Sequence, residues 1–207
     1  MAVLVSGEGT NLQAILDTVH GSEGIEVVAV GSNRAQARAL ERAEAAGVET
    51  RVFDAAGYGT RAARDAALAD WLDEHAVDLV VLAGFMEVLD REFIGRFEGR
   101  IVNVHPSLLP AFRGLRAIEQ ALDYGVRVTG VTVHFVDEGV DSGPIILQQV
   151  LELPYPPEVD SVEEAIHAIE HELLPRAVRL LARGAVRIDP SNPRRVLIEE
   201  RADVGGH

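Results

Sequence analysis

Short aliphatic runs alternating with longer amphipathic segments restrict the fold of this chain more than any other feature. Residues 2–6, 26–32, 50–53 and 78–82 read as strands, and 11–19, 35–46 and 60–75 as the helices between them. Near-continuous Val, Leu and Ile in the strands predicts that both of their faces are covered. Strand–helix alternation then predicts a parallel sheet with right-handed crossovers. The expected class is α/β: a Rossmann-like three-layer fold, a mostly parallel twisted sheet with helices on both faces. Ligands of such folds gather at the carboxyl ends of the strands. Within 60–75, Ala63, Ala67 and Trp71 share a helical stripe, which predicts a core position for Trp71.

The second half changes character. Pro106 and Pro110 forbid a regular helix after the apolar segment 101–104. Residues 116–124 read as a short helix ending at Gly125. Residues 126–136 alternate as a strand with one polar face, 137–143 form a glycine-rich turn, and 145–153 form another strand. Ser161 is the expected N-cap of a long helix, with Glu163 and Glu164 in its first turn. Pro175 predicts a kink or a break in that helix. Residues 185–188 and 196–199, with a turn over 189–195, read as a terminal hairpin, and 201–207 as a frayed tail. A single domain over 1–189 is expected, followed by the last hairpin strand and the tail over 190–207.

Composition narrows the chemistry. The chain has no cysteine, which removes disulfides, thiolate nucleophiles and cysteine-ligated metals. Its formal charge of −14 repels phosphate backbones and anionic membranes. No apolar run approaches the ~20 residues of a membrane span. The first six residues lack a basic flank and read as a strand rather than a signal peptide. The expected partners are therefore small molecules, with no nucleic acid and no membrane. The expected compartment is the cytoplasm, for a monomer or homodimer.

Two segments carry candidate chemistry. Gly7-Glu8-Gly9-Thr10-Asn11 follows the first strand and opens the first helix, where free N–H groups and the helix dipole favour an anion. Leu12 stands where a dinucleotide fingerprint wants a third glycine, so the loop suits a phosphate monoester better than a pyrophosphate. The alternative is a tight turn with Thr10 as N-cap. The other segment holds Asn103 and His105, at i and i+2 of an extended stretch, so that both side chains point one way. His134 and Asp141 come from the ends of later strands. Three readings stand open for these residues: a satisfied buried pair, a metal site of two histidines and a carboxylate, or acid–base chemistry on a carbonyl.

These blocks resemble the folate-dependent phosphoribosylglycinamide formyltransferases of purine biosynthesis. The resemblance runs from Val3 to about Ile188. It rests on Ser6-Gly7-Glu8-Gly9-Thr10-Asn11-Leu12-Gln13, Leu82-Ala83-Gly84-Phe85-Met86, Asn103-Val104-His105-Pro106-Ser107-Leu108-Leu109-Pro110 and Val140-Asp141-Ser142-Gly143-Pro144. It implies 10-formyltetrahydrofolate as cosubstrate, glycinamide ribonucleotide as acceptor, and no required metal. It implies that Gly9, Thr10 and Asn11 hold the substrate phosphate and that Glu170 contacts its ribose. Arg61, Met86, Glu87, Val88 and Leu89 match folate-binding positions, acting mostly through main chain. Asn103 would polarise the formyl oxygen and His105 act as general acid. Asp141 would keep the imidazole protonated, raising its pKa, and His134 would support the trio.

The chain departs from the family at several points. Glu87 stands where a basic residue is common, which removes a side-chain attraction for the folate glutamate tail. Arg113 and Arg116 replace proline and histidine, and His167 replaces a polar residue. Arg113-Gly114 is similar to methionyl-tRNA formyltransferase, a relative expected to need a further C-terminal domain and a less acidic chain. Formyltetrahydrofolate deformylase, expected to carry an N-terminal regulatory domain, and a binding module without turnover are the other readings.

Overall fold

The computed structural model describes residues 1–199. The tail expected over 201–207 lies outside the described residues. The parallel strands are β1 (Ala2–Val5), β2 (Ala29–Ser32), β3 (Glu49–Val52), β4 (Val80–Leu82) and β5 (Ile101–His105). Two antiparallel strands, β6 (Val128–Phe135) and β7 (Ile145–Glu152), complete a seven-stranded sheet of order β3-β2-β1-β4-β5-β6-β7. The order reverses at β1, so the ends of β1, β4 and β5 open onto one edge, where a crevice forms in such sheets. The helices are α1 (Thr10–Thr18), α2 (Arg38–Ala45), α3 (Arg61–Glu74), α4 (Arg91–Arg96), α5 (Ala117–Tyr124) and α6 (Val159–Ala182). A hairpin of β8 (Val186–Asp189) and β9 (Asn192–Ile198) follows.

Two cores follow from the period-two alternation of the strands. Val3 and Val5 point to a core shared with Leu12 and Ile15 of α1, Leu40 of α2 and Ile166 of α6. Ala2 and Leu4 point the other way, to Leu68, Trp71 and Leu72 of α3 and Phe93 of α4. Both sheet faces are therefore covered, as the aliphatic strands predicted. Among the described residues no helix is long and apolar enough to cross a membrane.

Several local expectations are corrected. Trp71 is buried and Ala67 packs against the same core, but Ala63 faces solvent and is not part of the stripe. The inward face of α3 is Arg64, Asp65, Leu68, Trp71 and Leu72. Ser161 is the third residue of α6 and not its N-cap. The helix begins after the extended residue Glu158, which makes no side-chain cap bond. Pro175 lies inside α6 without ending it, because buried residues continue on both sides, from Leu173 and Leu174 to Ala177 and Val178. Thr10 is the first helical residue, and the N-cap is Gly9 at φ 73°. A Cβ on Gly9 would come within 2.5 Å of the Ala39 Cβ, so close packing on α2 requires glycine there. The hairpin turn is only Pro190-Ser191, since Asn192 already pairs with Asp189.

Candidate active site

β5 sets the first two groups. Asn103 and His105 alternate with buried Val102 and Val104, and β6 pairs Asn103 with His134 and His105 with Thr132. Asp141 comes from the loop between β6 and β7 in a left-handed conformation, φ 45°. A Cβ on Gly143 would lie 1.8 Å from the Phe135 carbonyl oxygen, so only glycine lets this loop close against β6. Ser142 Oγ donates to Asp137 Oδ1 within the loop, and Arg194 of β9 donates to the Ser142 carbonyl.

The polar groups converge on the Asp141 carboxylate. Asn103 Nδ2 donates to Oδ1 at 3.2 Å, and the Gly114 amide donates to Oδ2 at 2.8 Å. His134 Nε2 lies 3.6 Å from Oδ1 and His105 Nδ1 lies 3.4 Å from Oδ2. A carbonyl only accepts, so His105 Nε2 bears a proton and donates to Phe112 at 2.8 Å. By the same reasoning His134 Nδ1 donates to the Phe135 carbonyl at 2.7 Å. His134 Nε2 lies 3.3 Å from Asn103 Nδ2. The satisfied-pair reading is therefore too small: three side chains and a backbone amide share one anion. Among the described residues no group of three or more His, Asp or Glu is arranged to hold a metal ion.

The charge state differs from the expected one. Burial pushes the His105 pKa down, and the Phe112 carbonyl and the Asp141 charge only partly offset this. The Asp141 carboxyl is itself buried, which pushes its pKa up. Its contacts with His134 and His105 and the Gly114 amide outweigh burial and hold it low. Asp141 is thus the resting anion and His105 the resting neutral base, with its open lone pair at Nδ1 facing that anion. The expectation that Asp141 lifts His105 above its ordinary pKa is not met, because desolvation dominates.

These groups form the head of a cleft of about 280 Å³ lined by residues 84–89, 103–106, 114–117, 134 and 136–141. Met86, Glu87, Val88 and Leu89 form one wall. Met86, Val88, Leu115 and Val140 leave apolar surface exposed at its mouth. Arg61 is exposed at the start of α3 and does not line this cleft. Gly9, Thr10, Asn11 and Glu170 form a separate cluster at the end of β1. There Asn11 Nδ2 donates to Glu170 Oε2 at 2.9 Å, and both side chains are buried. Burial raises the Glu170 pKa, against the Asn11 bond and the charge of His167. No side chain caps the amino end of α1, which leaves its first-turn amides without a side-chain partner there.

Sequence reasoning missed Arg64 and Asp65. Both are fully buried, and Arg64 Nη2 pairs with Asp65 Oδ1 at 2.7 Å. The available signal was phase: Asp65, Leu68 and Leu72 stand at i, i+3 and i+7, which puts a charge on the apolar face.

Residues 1–178 match the family described as formyl transferase. The chain is 46% identical over 189 residues to the trifunctional purine biosynthetic protein adenosine-3 of Bos taurus, covering 91% of this chain and 19% of that protein. It therefore spans about a fifth of the length of that relative. It is 39% identical to the phosphoribosylglycinamide formyltransferase of Haemophilus influenzae, covering 91% of this chain and 89% of that one. The crystal structure of glycinamide ribonucleotide transformylase 1 from Symbiobacterium toebii superposes with a TM-score of 0.91 at 49% identity, over 96% of this chain and 93% of the other. With a family match over residues 1–178 and a near-full-length superposition at 49% identity, this chain belongs to the formyl transferase family.

Proposed function

We propose that this chain transfers the formyl group of 10-formyltetrahydrofolate to the amine of glycinamide ribonucleotide, a step of purine biosynthesis. The observation that carries this reading is the convergence of Asn103, His105 and His134 on Asp141 at the head of an apolar cleft. The relatives matched along nearly their whole length are named for this reaction. A largely apolar cleft with a polar head suits a flat, aromatic formyl donor. Met86, Glu87, Val88 and Leu89 hold that donor through their main chain. Arg61, outside the cleft, reaches only the distal part of the donor. Gly9, Thr10 and Asn11 take the acceptor's phosphate at the start of α1, and Glu170 takes its ribose hydroxyls. Residues 1–189 act as one catalytic domain, in the cytoplasm, as a monomer or homodimer, with small molecules as its partners.

The resting charges give the order of events. The acceptor's amine attacks the formyl carbon, and the carbonyl π electrons move onto oxygen. The nitrogen sheds its proton through Asp141 to the open Nδ1 of His105. Asp141 relays this proton and does not keep it, because its carboxyl is held acidic. The imidazolium made in this way, with the Asn103 amide, turns its hydrogen bonds onto the oxyanion. When the tetrahedral centre collapses, His105 returns its proton to the departing donor nitrogen. His105 is thus a general acid charged by the reaction itself, which a buried imidazole of low pKa can be.

The test is a formyl-transfer assay with 10-formyltetrahydrofolate, following folate-product absorbance with and without glycinamide ribonucleotide. Turnover that needs the nucleotide supports the proposal. Folate release without it makes the chain a deformylase, and no turnover in either case leaves a binding module.

A further inference from the structure

Glu87 is an acidic residue in the 86–89 wall of the cleft, in a chain that is already strongly acidic. An acid there would repel an anionic ligand, yet the structure gives its side chain other work. Glu87 Oε2 lies 3.2 Å from Nη1 of the buried Arg64, and Oε1 accepts from Asn33 Nδ2 at 3.1 Å. Asn33 Oδ1 in turn accepts from Ser6 Oγ at 2.6 Å, and Ser6 Oγ accepts from the Met86 amide at 2.8 Å. On the other side Arg64 Nε donates to Asp65 Oδ1 at 2.8 Å, and Asp65 Oδ2 accepts from the Asp90 amide at 2.7 Å. One polar circuit therefore grips both ends of the segment 86–90, at the amides of Met86 and Asp90, and closes through Glu87.

The circuit is anchored in rigid parts. Ser6 and Asn33 stand directly after β1 and β2 and are buried, and Arg64 and Asp65 lie on the inward face of α3. Asn33 Nδ2 donates to Glu87, and the buried Arg64 Nη1, which makes no hydrogen bond, has the Glu87 carboxylate as its ion-pair partner, so replacing Glu87 takes a partner from each. A glutamine has one oxygen where the carboxylate offers two, so it satisfies Asn33 or Arg64 but not both. A lysine would set an ammonium against a buried guanidinium. Glu87 itself is exposed, with one carboxylate oxygen directed at the buried Arg64.

We infer that Glu87 is a positioning residue that, through Arg64 and Asn33, fixes the shape of the cleft wall 86–90 and thereby the affinity for the formyl donor. This rests on reading the cleft as the donor site. Its effect falls on donor binding and not on the chemical step, because none of the circuit's groups joins the cluster at Asp141.

Two measurements on the full chain test it, using E87Q, E87A and E87K. The first is amide hydrogen exchange of the ligand-free proteins. Faster exchange at Met86 and Asp90 in E87A, with the rest of the sheet protected as in wild type, is expected. Unchanged exchange there overturns the circuit as the holder of the wall, and this arm needs no ligand. The second is steady-state kinetics with 10-formyltetrahydrofolate and glycinamide ribonucleotide. The donor KM should rise in the order Gln, Ala, Lys, by about tenfold or more at Ala, the scale of a lost hydrogen bond to a charged group, while kcat falls less than about threefold. A purely space-filling role would make Gln behave as wild type and is excluded by that order. Equal losses in kcat and kcat/KM, or a flat KM across the series, overturn the inference. A wild-type chain without turnover overturns the donor-site assignment, while the exchange arm still decides whether Glu87 holds the wall.

Discussion

Nδ1 of His105 lies 3.4 Å from Oδ2 of Asp141, and the imidazole nevertheless sits below its ordinary pKa because burial outweighs both that carboxylate and the Nε2 bond to the Phe112 carbonyl. Proximity to a carboxylate is not enough to charge a histidine when desolvation opposes it. The pair is therefore poised to receive a proton and does not begin with one.

A pH dependence follows. The unfolded chain protonates this histidine at the ordinary value of 6.5, and the folded chain only below it. Between the two values the unfolded state binds more protons, so this group's contribution to stability, present above 6.5, is lost as pH falls from there through the folded value. In the ligand-free enzyme His105 should titrate below 6.5 by NMR, and kcat/KM should fall on the acid side as Nδ1 fills. A His105 resonance titrating above 6.5 contradicts the resting neutral base.

Removing either donor to the oxyanion should be costly in rate and cheap in fold. Asn103→Ala and His105→Ala should each lower turnover by at least ~100-fold, the scale of a lost oxyanion donor. Circular dichroism and thermal melts should remain close to wild type. Near-normal turnover in either variant removes that residue from the mechanism.

Glu170 predicts a trade between stability and binding. Its raised pKa means that the ionised form is disfavoured in the folded chain. Stability from this group is fully present below the unfolded pKa of 4.5 and is lost as pH rises through the folded value. Glu170→Gln removes that cost, and its amide oxygen still accepts from Asn11. The variant should melt higher than wild type near pH 8, with a raised KM for glycinamide ribonucleotide. A lower melting temperature at that pH would show that the ionised carboxylate is stabilising.

Gly143→Ala tests the Asp141 loop. The added methyl cannot share space with the Phe135 carbonyl, 1.8 Å from its ideal position, and backbone must move to admit it. Turnover should fall about as far as in Asp141→Asn, because the loop carries Asp141 away from Asn103 and His105. Kinetics of the two variants side by side, with melting curves for each, check this. Wild-type rates in Gly143→Ala would mean that the loop has slack the structure does not show.

Much of this protein was written in its local sequence. Aliphatic runs bounded by glycine fixed the strands. Their alternation with amphipathic segments fixed a sheet covered on both faces, because a strand apolar on both sides has no other stable place. The i, i+2 spacing of Asn103 and His105 put them on one side of β5 by backbone geometry alone. What depended on neighbours distant in the chain was not legible. Pro175 stays within α6 because the apolar stripe on either side of it is buried by the sheet. The inward face of α3 took Arg64 and Asp65 in place of Ala63 because partners at Glu87 and Asp90 were waiting for them. The sign of the His105 pKa shift belongs to this second kind. Sequence showed the histidine, and the resemblance supplied Asp141 as its partner, but only the packed interior determined how much water was removed. That desolvation set the resting proton.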